Sequence, residues 1–364
     1  MRHVVTGLIL CWVTVAAVAA PPAAAPRVAF INPGYSSEPF WVGYSRFMQA
    51  VADDLGVELE IHYAERDFNR LLQLGRQVRD RQPDYLLFVN EIYAGPELLR
   101  IFENSPVRLF NVHSTLTASQ RERTGNPRER YGNWIGSLIP DDERAGYLMG
   151  KALAAIKPEG PVEMLAFGGV PQTPSAQLRN LGLLRALDEH PDIRLRHLVN
   201  GEWSRQRAQA QARTLFERYP AVRLVWSAND EMALGAMQAL RERGLRPGRD
   251  VHFSAANNSP EIFQARLVGE VEALTAGHFT LGGWALLLIH DYHLGRDFAD
   301  SIGVDVRADV FRLLDEEQVV HLHRRLDVPR LQVDFRRYSH ALHAERAGYP
   351  FDLSPLLDAP VQAR

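Results

Sequence analysis

Leu224-Val225-Trp226-Ser227-Ala228-Asn229-Asp230-Glu231-Met232-Ala233-Leu234-Gly235-Ala236 is the stretch on which the fold turns. Its apolar, β-favouring start predicts a strand over 224–227. Asn229-Asp230 follows as a polar corner, and apolar residues then recur at helical spacing over 231–243. Asp230 is read as the N-cap of that helix, because an Asp carboxylate accepts hydrogen bonds from first-turn amides.

The same alternation extends outward in both directions. Strands are predicted over 162–167, 194–200 and 251–255, with helices over 175–189, 205–218 and 260–267. The first half repeats it, with strands over 27–32, 57–63, 84–89 and 107–112 and helices over 41–55, 71–81 and 96–103. Strands that are apolar throughout, separated by amphipathic helices, belong to parallel sheets covered on both faces. The pattern restarts at Asp141, the predicted cap of a helix over 143–156, with Gly136–Asp141 as the crossover. The expected fold is therefore α/β, with two doubly wound parallel-sheet lobes joined by a hinge. The boundaries expected are 26–138 plus 277–300 for the first lobe and 139–276 plus 301–326 for the second. Residues 327–364, with Pro350, Pro355 and Pro360, are expected as an extension over the surface.

The chain has 364 residues, 46% hydrophobic and 23% charged, which is the balance of a folded protein of about two domains. Lys+Arg 41 against Asp+Glu 44 gives −3, so no positive field is present to drive nucleic-acid binding. Lys151 and Lys157 are its only lysines and Cys11 its only cysteine, which excludes disulfides within the chain and multi-cysteine metal sites. Arg2 and His3 precede an apolar run over 4–19, and small residues at Ala16, Ala17, Ala19 and Ala20 follow. That is the pattern of an export signal, with cleavage expected near Ala20 or Ala25 and a periplasmic destination. The run is shorter than the roughly 20 apolar residues a bilayer span needs.

In open α/β sheets, ligands bind beyond the carboxyl ends of the strands. In the first half those ends carry Asn32 with Phe40-Trp41 after a short loop, Asn90-Glu91, and Asn111 with His113. In the second they carry Gly168-Gly169 leading to Arg179, then Glu202-Trp203, Asn229-Asp230 and Asn257-Asn258. Amides and an arginine beside tryptophans suit a neutral, polyhydroxylated small molecule. Each Asn offers a donor and an acceptor, the Arg fork bridges two oxygens, and indole faces pack on sugar C–H surfaces. Plainer roles compete: Phe40-Trp41 as a hydrophobic staple, and Asn257 or Asn258 as turn residues.

These residues carry a resemblance. The chain resembles the ribose/galactose-type periplasmic sugar-binding proteins, the type I periplasmic binding fold. Asn229 through Ala236 is similar to that family's strand-to-helix signature, in which the Asn contacts sugar and the Asp caps the helix. Phe40-Trp41 is similar to its first-lobe aromatic pair, and Ser175 through Gly182 to the segment supplying a sugar-binding arginine, here Arg179. Trp203 falls where the family places a second-lobe aromatic, Asn257 where an Asp is usual, and Gly277-His278 near a position that is often Gln at the second crossover. The fourth strand's Asp-Arg pair is replaced by Asn111-Val112, so ribose and glucose are not the expected ligands. The resemblance implies hinge closure on a sugar-like solute and presentation to an inner-membrane importer permease of an ATP-binding-cassette system. The tail with Asp334-Phe335-Arg336-Arg337 is similar to relatives that serve as ligand-sensing subunits of membrane receptors, including the autoinducer-2 receptor. A sensor partner, a histidine kinase or diguanylate cyclase, is therefore the alternative.

No cofactor is expected, and the chain is expected as a monomer and not as an enzyme. It has no GxSxG elbow, GxGxxG or P-loop. Two weaker patterns remain: His290/His293 and His321/His323 as metal ligands, and Glu38, Glu91 and Glu202 as glycosidase carboxylates. A sugar-responsive transcription factor of this fold needs an N-terminal helix-turn-helix, where this chain has the export pattern.

Overall fold

The computed structural model describes residues 24–346 and 348–357. The export-signal reading and Cys11 lie outside these residues.

The first half runs β1 (Arg27–Asn32), α1 (Pro39–Leu55), β2 (Glu58–Tyr63), α2 (Phe68–Arg81), β3 (Tyr85–Phe88), α3 (Gly95–Ile101), β4 (Arg108–Val112), α4 (Ala118–Thr124) and β5 (Trp134–Pro140). The second runs α5 (Asp142–Ile156), β6 (Val162–Gly168), α6 (Pro174–Asp188), β7 (Ile193–Asn200), α7 (Arg205–Arg218), β8 (Val222–Ser227), α8 (Asp230–Glu242), β9 (His252–Ala256), α9 (Pro260–Leu267) and β10 (Ala273–Ala276). The chain closes with α10 (Leu281–His293), α11 (Ala299–Ile302), β11 (Asp305–Ala308), β12 (Arg312–Leu313), α12 (Glu316–Leu326) and α13 (Ser354–Leu357).

Sequence chemistry explains the elements. α1 starts on a proline whose missing N–H costs nothing at a helix start. It buries Trp41, Tyr44, Phe47, Met48, Val51 and Leu55 along one face and stops at Gly56 in the left-handed region. Each such side chain contributes about 1.5–3 kcal/mol on full burial. α10 is buried on all sides from Leu281 to Asp291, consistent with its unbroken apolar run from Trp284 to Ile289.

Two six-stranded sheets result, in the orders β2-β1-β3-β4-β5-β11 and β7-β6-β8-β9-β10-β12. All pairings are parallel except the short antiparallel β10–β12 pair. The order reverses between β1 and β3 in one lobe and between β6 and β8 in the other, which is where a doubly wound sheet opens a ligand crevice at its carboxyl edge.

Three segments cross between the lobes. Asp141 joins β5 to α5, Gly277–Thr280 joins β10 to α10, and Asp309–Phe311 joins β11 to β12. Two expectations change here. Gly136–Pro140 is a strand of the first sheet, so the first crossing narrows to Asp141. The span 301–326 is divided, because β11 pairs with β5 and completes the first sheet before β12 and α12 join the second lobe. Alternating exposed residues and an edge position hid β11 from a search for apolar strands.

The tail is an integral layer. From α12 it crosses to the first lobe, where Asp54 Oδ2 accepts the amides of Phe335 at 2.6 Å and Arg336 at 3.1 Å. Phe335 packs edge-on to Phe47 and Trp284, and Trp284 Nε1 donates to Asp352 O at 3.2 Å. The chain then returns to α12, where His321 Nε2 meets Leu356 O at 3.2 Å. Phe335, Tyr338, Tyr349, Phe351 and Leu356 are all buried.

Candidate functional site

The carboxyl edges of the two sheets face one cleft, with about 420 Å³ of atom-free space that opens to solvent at its mouth. Every residue lining it follows a strand end. The first lobe supplies Glu38, Phe40 and Trp41 after β1, Arg66 after β2, Glu91 after β3 and His113 after β4. The second supplies Thr173, Ser175 and Arg179 after β6, Trp203 after β7, Asn229 after β8 and Asn257 after β9.

Strained backbone aims several of these side chains. Arg66, His113, Trp203 and Asn257 have φ of 51°, 72°, 62° and 103°, values that cost a non-glycine residue about 1–3 kcal/mol each. The two indoles are seated alike. A Cβ on Gly34 would lie 2.0 Å from the Trp41 ring, and one on Gly169 would lie 2.0 Å from the Trp203 ring. Only a missing side chain lets each ring lie flat on its loop.

Arg66 joins two carboxylates. Its Nε and Nη2 donate to Glu38 Oε2 and Oε1 at 2.9 and 2.6 Å, and its Nη1 donates to Glu91 Oε1 at 2.9 Å. Burial pushes the Glu91 carboxyl up, against the pull of Arg66. Burial opposes the charge on Arg66, but Glu91 and Glu38 outweigh it and hold the guanidinium protonated.

Arg179 is the corresponding group of the second lobe. Its Nε donates to Asp142 Oδ1 at 2.8 Å and its Nη1 to Ala228 O at 2.7 Å. Its guanidinium carbon lies 5.7 Å from the Trp203 ring centre and 5.3 Å from that of Phe311. Burial raises the Asp142 carboxyl, and Arg179 opposes that rise.

The hinge side of the cleft is aromatic. His278 stacks on Phe311 at 4.6 Å and Phe40 at 4.9 Å, and its ring centre is 5.6 Å from that of His113. Burial, reinforced by Arg179, drives His113 down to about 3 and His278 well below its ordinary value. Both rings are neutral at physiological pH.

Eight strand-end residues singled out from the sequence meet in the cleft: Phe40, Trp41, Glu91, His113, Arg179, Trp203, Asn229 and Asn257. Four do not line it. Asn32 accepts from Gly34 N at 2.9 Å and donates to Ser45 Oγ at 2.8 Å, fastening the loop that carries the aromatic pair. Asn90 accepts from Gly95 N at 2.9 Å and donates to Thr115 O and Gln120 Oε1, so its amide is spent inside the first lobe. Asn111 donates to Phe88 O at 3.2 Å within the sheet. His278 stands behind Phe40 in the stack.

The corner after β8 also differs from expectation. Asn229 is the N-cap, accepting from Met232 N at 2.9 Å. Asp230 instead accepts from Asn257 Nδ2 at 2.8 Å and Ser259 N at 3.3 Å, and burial pushes it up to about 6. That donation fixes the Asn257 amide and leaves its Oδ1 toward the cleft. Arg66, three residues beyond the end of β2, is a cleft residue absent from the sequence-based set, although it follows the same rule as the other strand ends.

The weaker patterns resolve into structural roles. Glu38 and Glu91 share Arg66, while Glu202 is 41% exposed and pairs with Arg207, so each of the three carboxylates is held by an arginine. His290 meets Asp291 at 3.1 Å and His293 meets Tyr85 Oη at 3.3 Å. Among the described residues no group of three or more metal-ligating side chains occurs, and no helix is long and apolar enough to cross a membrane.

Comparison with known proteins agrees with this fold. The crystal structure of a periplasmic sugar-binding protein from Pseudomonas fluorescens is 49% identical, covers 91% of this chain and 99% of that one, and superposes with a TM-score of 0.83. The chain belongs to the type I periplasmic sugar-binding protein family. A family profile described as a periplasmic binding protein domain matches residues 136–294. The galactofuranose-binding protein of Escherichia coli K12 is 24% identical over 143 residues, a match that spans 38% of this chain and 45% of that protein. An ABC transporter periplasmic solute binding protein from Actinobacillus succinogenes, with bound D-allose, shares the fold at 20% identity and a TM-score of 0.71, covering 81% of this chain and 99% of that one. Members of this family are binding proteins, and the cleft of this one is the place where the family's two lobes meet.

Proposed function

We propose that the protein captures one sugar of monosaccharide size between its lobes in the periplasm and delivers it to an ATP-binding-cassette importer. The observation that carries this reading is the set of unspent hydrogen-bonding groups between two indoles. Arg179 Nη2, Glu91 Oε2 and Asn257 Oδ1 line the cleft with no hydrogen-bond partner among the described residues. A sugar hydroxyl both donates and accepts, so one ring satisfies the guanidinium on one side and the carboxylate and amide oxygens on the other. Trp41 and Trp203 supply the faces for its C–H surfaces.

Binding proceeds by domain closure. The ligand touches residues of both lobes only when the lobes approach, so it shifts the population toward the closed form. The importer assignment draws support from the Actinobacillus relative, an ABC transporter periplasmic solute binding protein. Thermal unfolding against a panel of pentoses, hexoses and their furanose-rich forms tests the reading. A bound sugar at 100 times its dissociation constant adds about 2.7 kcal/mol of stability. A panel in which no sugar raises the melting temperature contradicts it.

A further inference from the structure

Charge in the cleft is paired before any ligand arrives. Each guanidinium is charge-paired: Arg66 spans Glu38 and Glu91 with all three nitrogens, and Arg179 is paired with Asp142 through Nε while its Nη2 stays open to the ligand. Three carboxylates thus face two guanidiniums, and a fourth carboxylate, Asp230, stands directly behind Asn257. No lysine lines the cleft, and neither histidine there carries charge to redress the balance. The surplus is negative, and it sits in surroundings where Arg66, Glu91, Arg179 and Asp142 side chains are only 14%, 7%, 4% and 3% exposed. Little solvent is present to screen it.

We infer that the Glu38–Arg66–Glu91 group is a charge filter that admits uncharged sugars and rejects their acidic and phosphorylated forms. The inference rests on the sugar-binding reading and adds a ligand class to it. An arginine is ordinarily the residue that captures carboxylate or phosphate through its planar fork. Here the fork of Arg66 is filled by Glu38, and its remaining edge is taken by Glu91. An anionic ligand that sought Arg66 would have to displace one of these carboxylates, against the surplus of negative charge around it. A hydroxyl instead donates to Glu91 Oε2 without disturbing the pair. Glu38 and Glu91 are therefore specificity-determining residues, and they act by occupying Arg66.

Titration calorimetry on the full mature chain tests the filter with neutral and acidic ligands in pairs, of which galactose and galacturonate differ least in size and separate charge from bulk. The pairs are D-galactose with D-galacturonate, D-allose with D-allose 6-phosphate, and L-arabinose with L-arabinose 5-phosphate. In the wild type the acidic member of a binding pair is expected to bind at least about tenfold more weakly than its neutral parent. Glu91→Gln keeps the shape and the hydrogen bond but removes one of the two negative charges that hold Arg66. It is expected to shrink that ratio about tenfold or more, and the less buried Glu38→Gln should move it the same way. Circular dichroism melts establish that each variant is folded. An acidic sugar binding the wild type as tightly as its parent overturns the filter while leaving a sugar site. So does a ratio unmoved in both folded variants. Failure of every neutral and acidic member to bind contradicts the sugar-binding reading itself, and the filter with it.

Discussion

Gln177 Nε2, on α6 of the second lobe, donates to Tyr93 Oη of the first lobe at 2.8 Å. The two residues are 84 positions apart in sequence, and their contact spans the two lobes. Tyr93 projects from the loop after β3 with φ of 59°, another left-handed residue at a strand end. The bond belongs to the closed arrangement, because separating the lobes breaks it.

Tyr93→Phe therefore tilts the balance toward the open form. An exposed hydrogen bond of this kind contributes about 0.5–1 kcal/mol, the low end of the usual range. Sugar affinity is expected to fall about two- to fivefold, with the radius of gyration of the unliganded protein increased in small-angle scattering. An unchanged affinity and radius would show that the latch adds nothing to closure.

Arg179 and Asp142 form a buried pair, so removing one partner strands the other. Arg179→Met is expected to destabilise the protein by about 3–5 kcal/mol and to abolish measurable sugar binding. The double variant Arg179→Met with Asp142→Leu regains most of the stability, since no isolated charge is left inside, but does not regain binding. Urea unfolding and calorimetry on the same samples separate the two effects. Binding restored in the double variant would remove Arg179 from the site.

Gly169→Ala places a methyl group where the Trp203 ring now lies. The ring must lift off its loop, an overpacking cost of about 1–3 kcal/mol. Sugar affinity is expected to drop about tenfold or more, with a shift in tryptophan emission, because Trp203 is the partly exposed indole of the cleft. Gly34→Ala should act on Trp41 in the same way.

Besides Asp54, a second carboxylate anchors the tail. Asp291 accepts from Ser339 Oγ, from His340 N at 2.7 Å and from Tyr349 Oη at 2.8 Å. Burial acts to raise its pKa, but the bonds from His290, Ser339, Tyr349 and His340 outweigh it and hold the group below its ordinary 3.8. A depressed carboxylate contributes stability that is fully present above the unfolded value and lost as pH falls through the folded one. The melting temperature is therefore expected to fall with acidification below about pH 4, and Asp291→Ala to remove that part of the fall. At neutral pH the variant loses at least about 1.5–3 kcal/mol. A variant with the wild-type acid profile would show that the anchor lies elsewhere.

The sequence discloses the alternation because buried parallel strands such as Tyr85–Phe88 are apolar throughout and because caps such as Asp141 announce their helices. It discloses half of the cleft by one rule, that ligand groups follow strand ends. The rule cannot tell Asn257, which faces the cleft, from Asn90, whose amide is consumed by Gly95 and Gln120. An asparagine after a strand reads identically in both roles, and only the partners distinguish them. Asn229 and Asp230 show the same limit at closer range. Either side chain caps a helix well, and Asp230 takes the inner position because Asn257 and Ser259 need its oxygens. The short edge strands β11 and β12 escape notice because they are polar and make their sense only as neighbours of β5 and β10.

A crystal structure of the protein grown with the sugar that most raises its melting temperature tests the central claim most directly. The account predicts a single sugar ring between Trp41 and Trp203, with oxygens within hydrogen-bond reach of Arg179 Nη2, Glu91 Oε2 and Asn257 Oδ1. Sugar density elsewhere on the molecule, with the cleft holding only solvent, would contradict it.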